Sequence, residues 1–271
     1  MNVDLFVKDC SNKESKDYLT WNKREFEIFK RMVIEQNINC RLDDMFLLSF
    51  LRARKFDKER AIKLLKNYYS TRKKYPNIFD KFNPAAVKKY LDMKIVGYLP
   101  HTDQDGSILG IGRCPCWDPS KVHVSEVVKC FMMFIDMAIT GHIIQVNGIV
   151  IILDAKTLYW RHVLQLTPTT LYCIVSIVFQ STPISYKAIH VINIGTFVYA
   201  FYTAFRLFLP YKMKKRLHFH SSGIESLHKF ISPQHLPVEY GGQLPPLDLT
   251  ECNENIIKFQ EYFEENQKYF S

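Results

Sequence analysis

Between Ala188 and Arg216 the chain changes its preferred solvent three times within one short stretch. The run Ile189–Ile194, β-branched and closed by Gly195, has the pattern of a strand buried on both faces of a parallel sheet. Residues Phe197–Leu209 then predict a helix bounded by Gly195 and Pro210, with Phe197, Phe201, Phe205 and Phe208 along one face. Its other faces carry Tyr199, Ala200, Tyr202 and Ala204, which leaves only Thr203 and Arg206 polar. A helix apolar all round must be buried in protein, lie in lipid, or cover something greasy. It rises only about 20 Å, too little to cross a bilayer. The cluster Lys212–Arg216 follows at once, with four cations in five residues. A short oily helix between Gly and Pro, followed by positive charge, describes a lid over an apolar cavity that can lie on an anionic membrane. An ordinary core helix with a solvated basic end satisfies the same composition.

The rest of the chain limits the choices. With 271 residues, 47% of them hydrophobic, it buries a large core as one large domain or a small and a medium one. The net charge of +9 admits nucleic acid or anionic lipid as partner. Aromatics do not interleave with basic residues on an alternating strand, and no zinc-finger spacing is present, so nucleic acid is not expected. Seven scattered cysteines, an odd number, and a start lacking an apolar signal core predict a reduced, cytoplasmic protein. The longest apolar stretch, Val127–Ile144, contains Lys129, Asp136 and His142 and predicts no membrane span.

Residues 1–95 read as an all-helical bundle. Tyr18–Gln36 carries Trp21, Phe26, Phe29 and Val33 at helical spacing, and Asp43 and Asp44 place negative charge before the helix of MFLLSFLRARKF. Asp57 is positioned to cap a helix with the inner stripe Ala61, Leu64, Leu65 and Tyr68, ending before Pro76. Its basic residues Arg72, Lys73 and Lys74 read as a solvated face. From 96 to 245 strands alternate with helices: SILGIGRC, a long helix near Val124–Ile144, the strand IVIILD, a helix Pro168–Gln180 and the strand Ile189–Ile194. That alternation predicts parallel pairing with right-handed crossovers, and the helices are greasier than one sheet-facing side needs, which implies an internal cavity. LHFHSSGIESLHKFI reads as strand, turn and short helix, and residues 246–271 read as an acidic, amphipathic tail helix from Thr250 to Phe270.

Several of these pieces, in this order and spacing, resemble the CRAL-TRIO lipid-binding family over roughly residues 40 to 245. They are the leader DDMFLLSFLRARKFDKERAIKLLKNYYSTRKKYP, the turn Asp103–Gly106, Trp117-Asp118-Pro119, Asn147-Gly148 with IVIILD, Leu166–Pro168, Ile189–Asn193 and LPVEYGG. PISYKAIHVIN and FLPYKMKKRLHFH are most similar to its alpha-tocopherol transfer and retinaldehyde-binding branch. The resemblance implies an α/β fold: a helical bundle, then a domain with a mostly parallel sheet, an apolar cavity and a helical lid. Carried over residue by residue, it implies cavity-lining roles for Val128, Phe131, Ile135, Ile149, Ile177, Val178 and Thr182, and a gate at Phe197, Phe201 and Phe205. Phe131 and Ile135 stand where the tocopherol branch has serines, which implies a smaller and drier pocket. It also implies a phosphoinositide-reading patch at Arg54, Lys187, Lys212 and Arg216. Ser185 departs from that basic pattern, and Lys214 and Lys215 lie beside it to compensate; each cation near an anionic surface contributes about 1 kcal/mol. A second departure is Thr157, where relatives carry glycine, which implies a local change in that loop.

Catalysis finds no base and nucleophile. Gly106, Gly110 and Gly112 belong to a turn and a strand, not to a dinucleotide fingerprint, and no nucleophile elbow occurs. Cys114 and Cys116 lack a second ligand pair at metal spacing, His218 and His220 alternate along a strand, and His190 reads as a hydrogen-bonded core histidine. The expectation is a monomeric carrier, without cofactor, metal or enzymatic activity, for a tocopherol-, retinoid- or other isoprenoid-like molecule. It would exchange that ligand at anionic, phosphoinositide-bearing membranes by transient peripheral association. A phosphatidylinositol-type exchanger needs polar groups around the cavity, and a lipid-sensing adaptor has only the acidic tail Glu251–Glu265 to suggest it; both stay open.

Overall fold

Asn22, Asp43, Asp57 and Asn83 each open a helix in the same way. Their side-chain oxygens accept from the backbone N–H groups of Glu25 (3.2 Å), Phe46 (2.9 Å), Arg60 (3.0 Å) and Ala86 (3.0 Å), which a helix start leaves without partners. The structure is a computed structural model that describes residues 22–195, 206–221 and 223–270. The helices are α1 (Lys23–Glu35), α2 (Asp44–Ala53), α3 (Lys58–Lys74), α4 (Pro76–Phe79) and α5 (Pro84–Leu91). Phe26, Phe29 and Val33 of α1 and Ala61, Leu64, Leu65 and Tyr68 of α3 form the predicted inner stripes. The expected α1 residues Tyr18 and Trp21 lie outside the described residues.

Arg72 corrects the reading of α3's basic end as solvated. It is 1% exposed, and its guanidinium meets Asp136 at 2.6 Å, both side chains fully buried. Tyr68 Oη donates to the other Asp136 oxygen at 2.9 Å, Arg72 Nη1 donates to the Tyr68 carbonyl at 3.0 Å, and the guanidinium lies 3.2 Å over the Tyr68 ring. Asp136 belongs to α6 (Val124–Ala138), so the pair joins the first helices to the second half of the chain.

The sheet has the order β1 (Val96–Thr102), β2 (Ile108–Arg113), β3 (Ile149–Asp154), β4 (Tyr186–Ile192), β5 (Leu217–Phe219). β1 is antiparallel to β2, and β2 through β5 are mutually parallel. Period-2 alternation sends Ile149, Ile151 and Ile189 into the cluster under α6, and Val150, Ile152 and Ile192 into a second cluster with Leu227, Leu236 and Leu249. Gly148 starts β3 at φ +78°; a Cβ there would stand 2.3 Å from the Ser185 carbonyl, so only glycine fits. Asn147 Nδ2 donates to the Gly106 carbonyl at 2.8 Å, which locks the Asp103–Gly106 turn to the start of β3.

Three helices differ from expectation. The long helix breaks at Gly141 into α6 and α7 (His142–Asn147), and Gln145 Nε2 fills the break by donating to the Ile139 and Met45 carbonyls at 2.7 and 3.0 Å. The Pro168–Gln180 helix is α9 (Pro168–Val175), preceded by α8 (Trp160–Leu164) and continued by a π-helical turn Ser176–Gln180. That turn frees carbonyls of Ile177 and Val178, and the hydroxyls of Ser181 and Thr182 donate to them at 2.7 and 2.6 Å. Beyond α10 (Tyr211–Lys214), the tail is two helices, α11 (Thr250–Ile257) and α12 (Gln260–Gln267), not one. It is docked rather than free. Ile256, Phe259 and Phe263 join the main core, and Asn266 Nδ2 donates to Tyr68 Oη at 3.2 Å. β4 begins and ends earlier than the run Ile189–Ile194; Asn193, at φ +54°, stops it and donates to Asp154 Oδ1 at 2.8 Å.

On the opposite face of the sheet, His190 and His218 stack on each other, and both rings and that of His220 pack at an angle against Phe230. The hydroxyl of Ser226 donates to the Gly223 carbonyl at 2.7 Å, so it accepts from His220 Nδ1 at 2.8 Å. His220 Nε2 is then the acceptor for His190 Nδ1–H at 2.9 Å. This arrangement requires neutral rings. Burial, followed by the neighbouring histidines, holds His190 down at about 3, and burial lowers His218 and His220 as well.

Two outcomes follow. Asp136→Ala leaves Arg72 buried and unpaired and is expected to cost about 3–5 kcal/mol in denaturant unfolding, whereas cutting the exposed Lys88–Asp92 pair costs under about 1 kcal/mol; equal losses refute the assignment. For the histidines the folded state resists the proton, so their stabilisation is complete above about pH 6.5 and is lost as pH falls from there toward 3. His190→Leu should therefore flatten the fall in unfolding free energy between about pH 7 and 4 by on the order of 2–3 kcal/mol. An unchanged slope contradicts it.

Candidate functional site

The seven described residues predicted to line a cavity come from four elements and converge on one side of the sheet. Val128, Phe131 and Ile135 are one face of α6, Ile149 opens β3, Ile177 and Val178 sit in the π-helical turn, and Thr182 follows it. Ile135, Ile149 and Ile177 are fully buried, Val128, Val178 and Thr182 nearly so, and Phe131 is half-buried against the same cluster. Phe197, Phe201 and Phe205 lie outside the described residues. Just after them Leu209 and Met213 are buried in this cluster and Phe208 packs on it, while Leu207 is 77% exposed.

The polar atoms on this side are already used. Thr182 Oγ1 donates to the Val178 carbonyl and stands 3.4 Å from Tyr186 Oη, and Tyr98 Oη donates to the Phe134 carbonyl. Burial raises both tyrosines, so they stay neutral. Among the described residues the buried side-chain atoms without a partner are Arg72 Nε, Arg113 Nε and Asn253 Oδ1, none of them on a predicted lining residue. A molecule against this wall meets hydrocarbon and no free donor, which selects apolar ligands by burial alone.

Positive charge gathers where β3, β4 and β5 begin. The Lys212 ammonium is held below the ordinary lysine range by Arg216 foremost, then by partial desolvation, and then by Lys55, Arg54 and Lys187. Four of these are the predicted patch, while Lys55 lay unnoticed in the run RARKF. Lys215 Nζ lies 4.7 Å over the Tyr211 ring. Among the described residues no carboxylate pairs with Arg54, Lys55, Lys187, Lys212 or Arg216. Ser185 is exposed beside them. Like charges gathered in this way make a local region of positive potential.

A third feature escaped the sequence reading. Trp160 and Leu164, one turn apart on α8, are 50% and 66% exposed, and Tyr159 and Tyr172 are exposed beside them in the chain or on α9. Leu158, just ahead, packs with Ile194, Leu217 and Phe219 around Ala155 and Val191. An aromatic followed by an aliphatic at i+4 in a helix too short for a core role was the available signal. Elsewhere, Gly110 and Gly112 lie in β2, and Cys114 and Cys116 form a single helical turn of free thiols, with Cys114 pushed up to about 12 by burial. Among the described residues no group of three His, Cys, Asp or Glu side chains is arranged to hold a metal. None of the described helices is long and apolar enough to cross a membrane.

Comparison with known proteins matches residues 92–242 to the family described as CRAL/TRIO domain, and residues 22–88 to a Pinta-like, UBA domain. The chain is 33% identical over 265 residues to the alpha-tocopherol transfer protein-like protein of Homo sapiens, spanning 97% of this chain and 77% of that one. It is 33% identical over 211 residues to Clavesin-2 of Rattus norvegicus, spanning 77% of this chain and 64% of that one. The crystal structure of Sfh5 superposes with a TM-score of 0.54 at 14% identity, covering 96% of this chain and 100% of that one, which shows a shared fold.

Proposed function

The chain belongs to the CRAL/TRIO family, and on that premise we propose that it is a carrier. It binds one hydrophobic molecule of tocopherol, retinoid or other isoprenoid type against the α6 side of the sheet and exchanges it at anionic, phosphoinositide-containing membranes. The observation that supports this most is the cluster of Val128, Phe131, Ile135, Ile149, Ile177, Val178 and Thr182, in which every buried side-chain donor and acceptor is already bonded within the wall. A phospholipid head group would need a free polar partner there. The aliphatic and aromatic body of an isoprenoid needs none.

Two surfaces support docking. The corner of Arg54, Lys187, Lys212 and Arg216 offers positive charge that no carboxylate among the described residues pairs with, and Trp160, Leu164, Leu207 and Tyr211 are large apolar side chains left in solvent. Cations hold the protein at an anionic bilayer, and interfacial aromatics exchange water for head-group depth. With the segment from Phe197 to Leu209 acting as gate, its phenylalanines would meet lipid when it opens.

Thr182→Val separates the carrier from a head-group exchanger. The hydroxyl is committed to the Val178 carbonyl, so loss of the group should lower stability by about 1 kcal/mol and leave retention of a bound retinoid or tocopherol unchanged in a fluorescence titration. A large fall in ligand affinity would show that the hydroxyl holds the ligand. For docking, replacing Lys212, Lys214, Lys215 and Arg216 together by Ala should abolish most salt-sensitive binding to anionic vesicles. Undiminished binding at low salt excludes the basic corner as the membrane contact.

A further inference from the structure

The short helix α8 is fastened to the rest of the molecule by two polar side chains. Residues two apart on a helix stand about 200° from one another, so with Trp160 and Leu164 facing solvent, His162 between them faces inward and is 1% exposed. Its Nδ1 accepts from Tyr159 N at 3.2 Å, so its Nε2 carries the proton and donates to the Trp117 carbonyl at 3.0 Å. The imidazole meets the Trp117 and Tyr159 rings edge to face, with centroids 4.8 and 4.6 Å away. Trp117 is itself pinned, since its Nε1 donates to the Val122 carbonyl at 2.9 Å.

Gln165, the residue that closes α8, reaches the other end of the same loop. Its Nε2 donates to the Pro119 carbonyl at 2.7 Å, and its Oε1 accepts from Val124 N at 2.6 Å. Val124 opens α6, and its N–H is one that a helix start leaves without a partner inside the helix. Val124 is buried one turn ahead of Val128, and Phe131 and Ile135 continue that face. Among the described residues, His162 and Gln165 make the side-chain hydrogen bonds that join α8 and its closing residue to other elements. Both end on the segment 117–124, which leads into the wall helix. Interiors are close-packed, so a shift of α8 is passed to that segment rather than absorbed.

We infer that Gln165 is a positioning residue which joins the exposed pair Trp160 and Leu164 to the first turn of α6, with His162 fixing α8 beside it, so that a bilayer in contact with α8 loosens the end of the wall on which Val128 and Phe131 stand. Arg161 puts positive charge at the point of contact, its guanidinium 5.2 Å over the Trp160 ring. The direction of the effect follows from the geometry. Drawing Trp160 and Leu164 toward head-group depth carries the adjoining Gln165 with them and takes the acceptor away from Val124 N. The first turn of α6 then holds one bond fewer. The inference rests on the membrane-docking reading above and adds to it the connection from that surface to the ligand wall.

The test is amide hydrogen exchange of the full chain, free and saturated with phosphatidylcholine vesicles containing phosphatidylserine, beside co-sedimentation with the same vesicles. In the wild type, vesicle contact is expected to speed exchange at residues 127–131 of α6 about threefold and to leave residues 23–53 of α1 and α2 unchanged. Gln165→Met keeps the length of the side chain without its hydrogen bonds; it is expected to bind vesicles as the wild type does and to lose the vesicle-dependent change in α6. Gln165→Glu keeps an acceptor for Val124 N at a helix start, where negative charge is favourable, and is expected to retain that change. The wild-type comparison needs no variant to fold. No change in α6 of the vesicle-bound wild type, or a change that persists in full in Gln165→Met or vanishes in Gln165→Glu, overturns the connection while docking stands. If Trp160→Ala and Leu164→Ala together leave vesicle binding undiminished, the docking surface lies elsewhere and the inference fails with that reading.

Discussion

The ion pair between Arg72 and Asp136 fixes where α6 stands, and α6 carries the wall that everything else serves. Asp136 turns toward α3, while Val128, Phe131 and Ile135 lie about a third of a turn away, toward the sheet. A buried pair adds little over a well-packed apolar substitute, but breaking it strands a charge. Its value here is therefore positional. Tyr68, Tyr262 and Asn266 close the network from α3 and α12, so the first and last helices clamp the same helix from behind.

The two faces of the sheet have been given opposite chemistry by alternation along the same strands. Ile149, Ile151 and Ile189 face an apolar cluster in which the Thr182 and Tyr98 hydroxyls are spent on carbonyls and Tyr186 Oη stands 3.4 Å from Thr182 Oγ1, and at the π-helical turn Ser176–Gln180 the hydroxyls of Ser181 and Thr182 cover the carbonyls of Ile177 and Val178. His190, one residue on from Ile189, faces the other way into a hydrogen-bonded chain through His220 to Ser226. One side is dry and indifferent to polar groups. The other is ordered by them, and binds β5 to the sheet beyond its three ladder residues.

Much of the fold was legible because local rules and tertiary needs agreed. Asp57 before an amphipathic run is a cap in sequence and in structure, and β-branched runs separated by helices specify parallel pairing. Arg72 was illegible because its partner lies 64 positions away, and Asp136 looked like no more than an objection to a membrane span. The break at Gly141 depended on Gln145 reaching the Met45 carbonyl of another helix, which periodicity does not encode. Within the site, the apolar wall and four cations of the corner came from family resemblance, and the structure brings each group together in space. Lys55 and the exposed Trp160 and Leu164 were missed, the first because its contribution depends on a left-handed turn, the others because exposure is a property of the folded surface.

The proposed carrier holds one apolar molecule on the α6 side of the sheet. Native mass spectrometry of the purified full chain, followed by solvent extraction of what it carries, tests this most directly. The expected result is a single isoprenoid-type or similarly apolar molecule per chain. A phospholipid in its place, or a protein that is empty and also refuses tocopherol and retinoid, would contradict it.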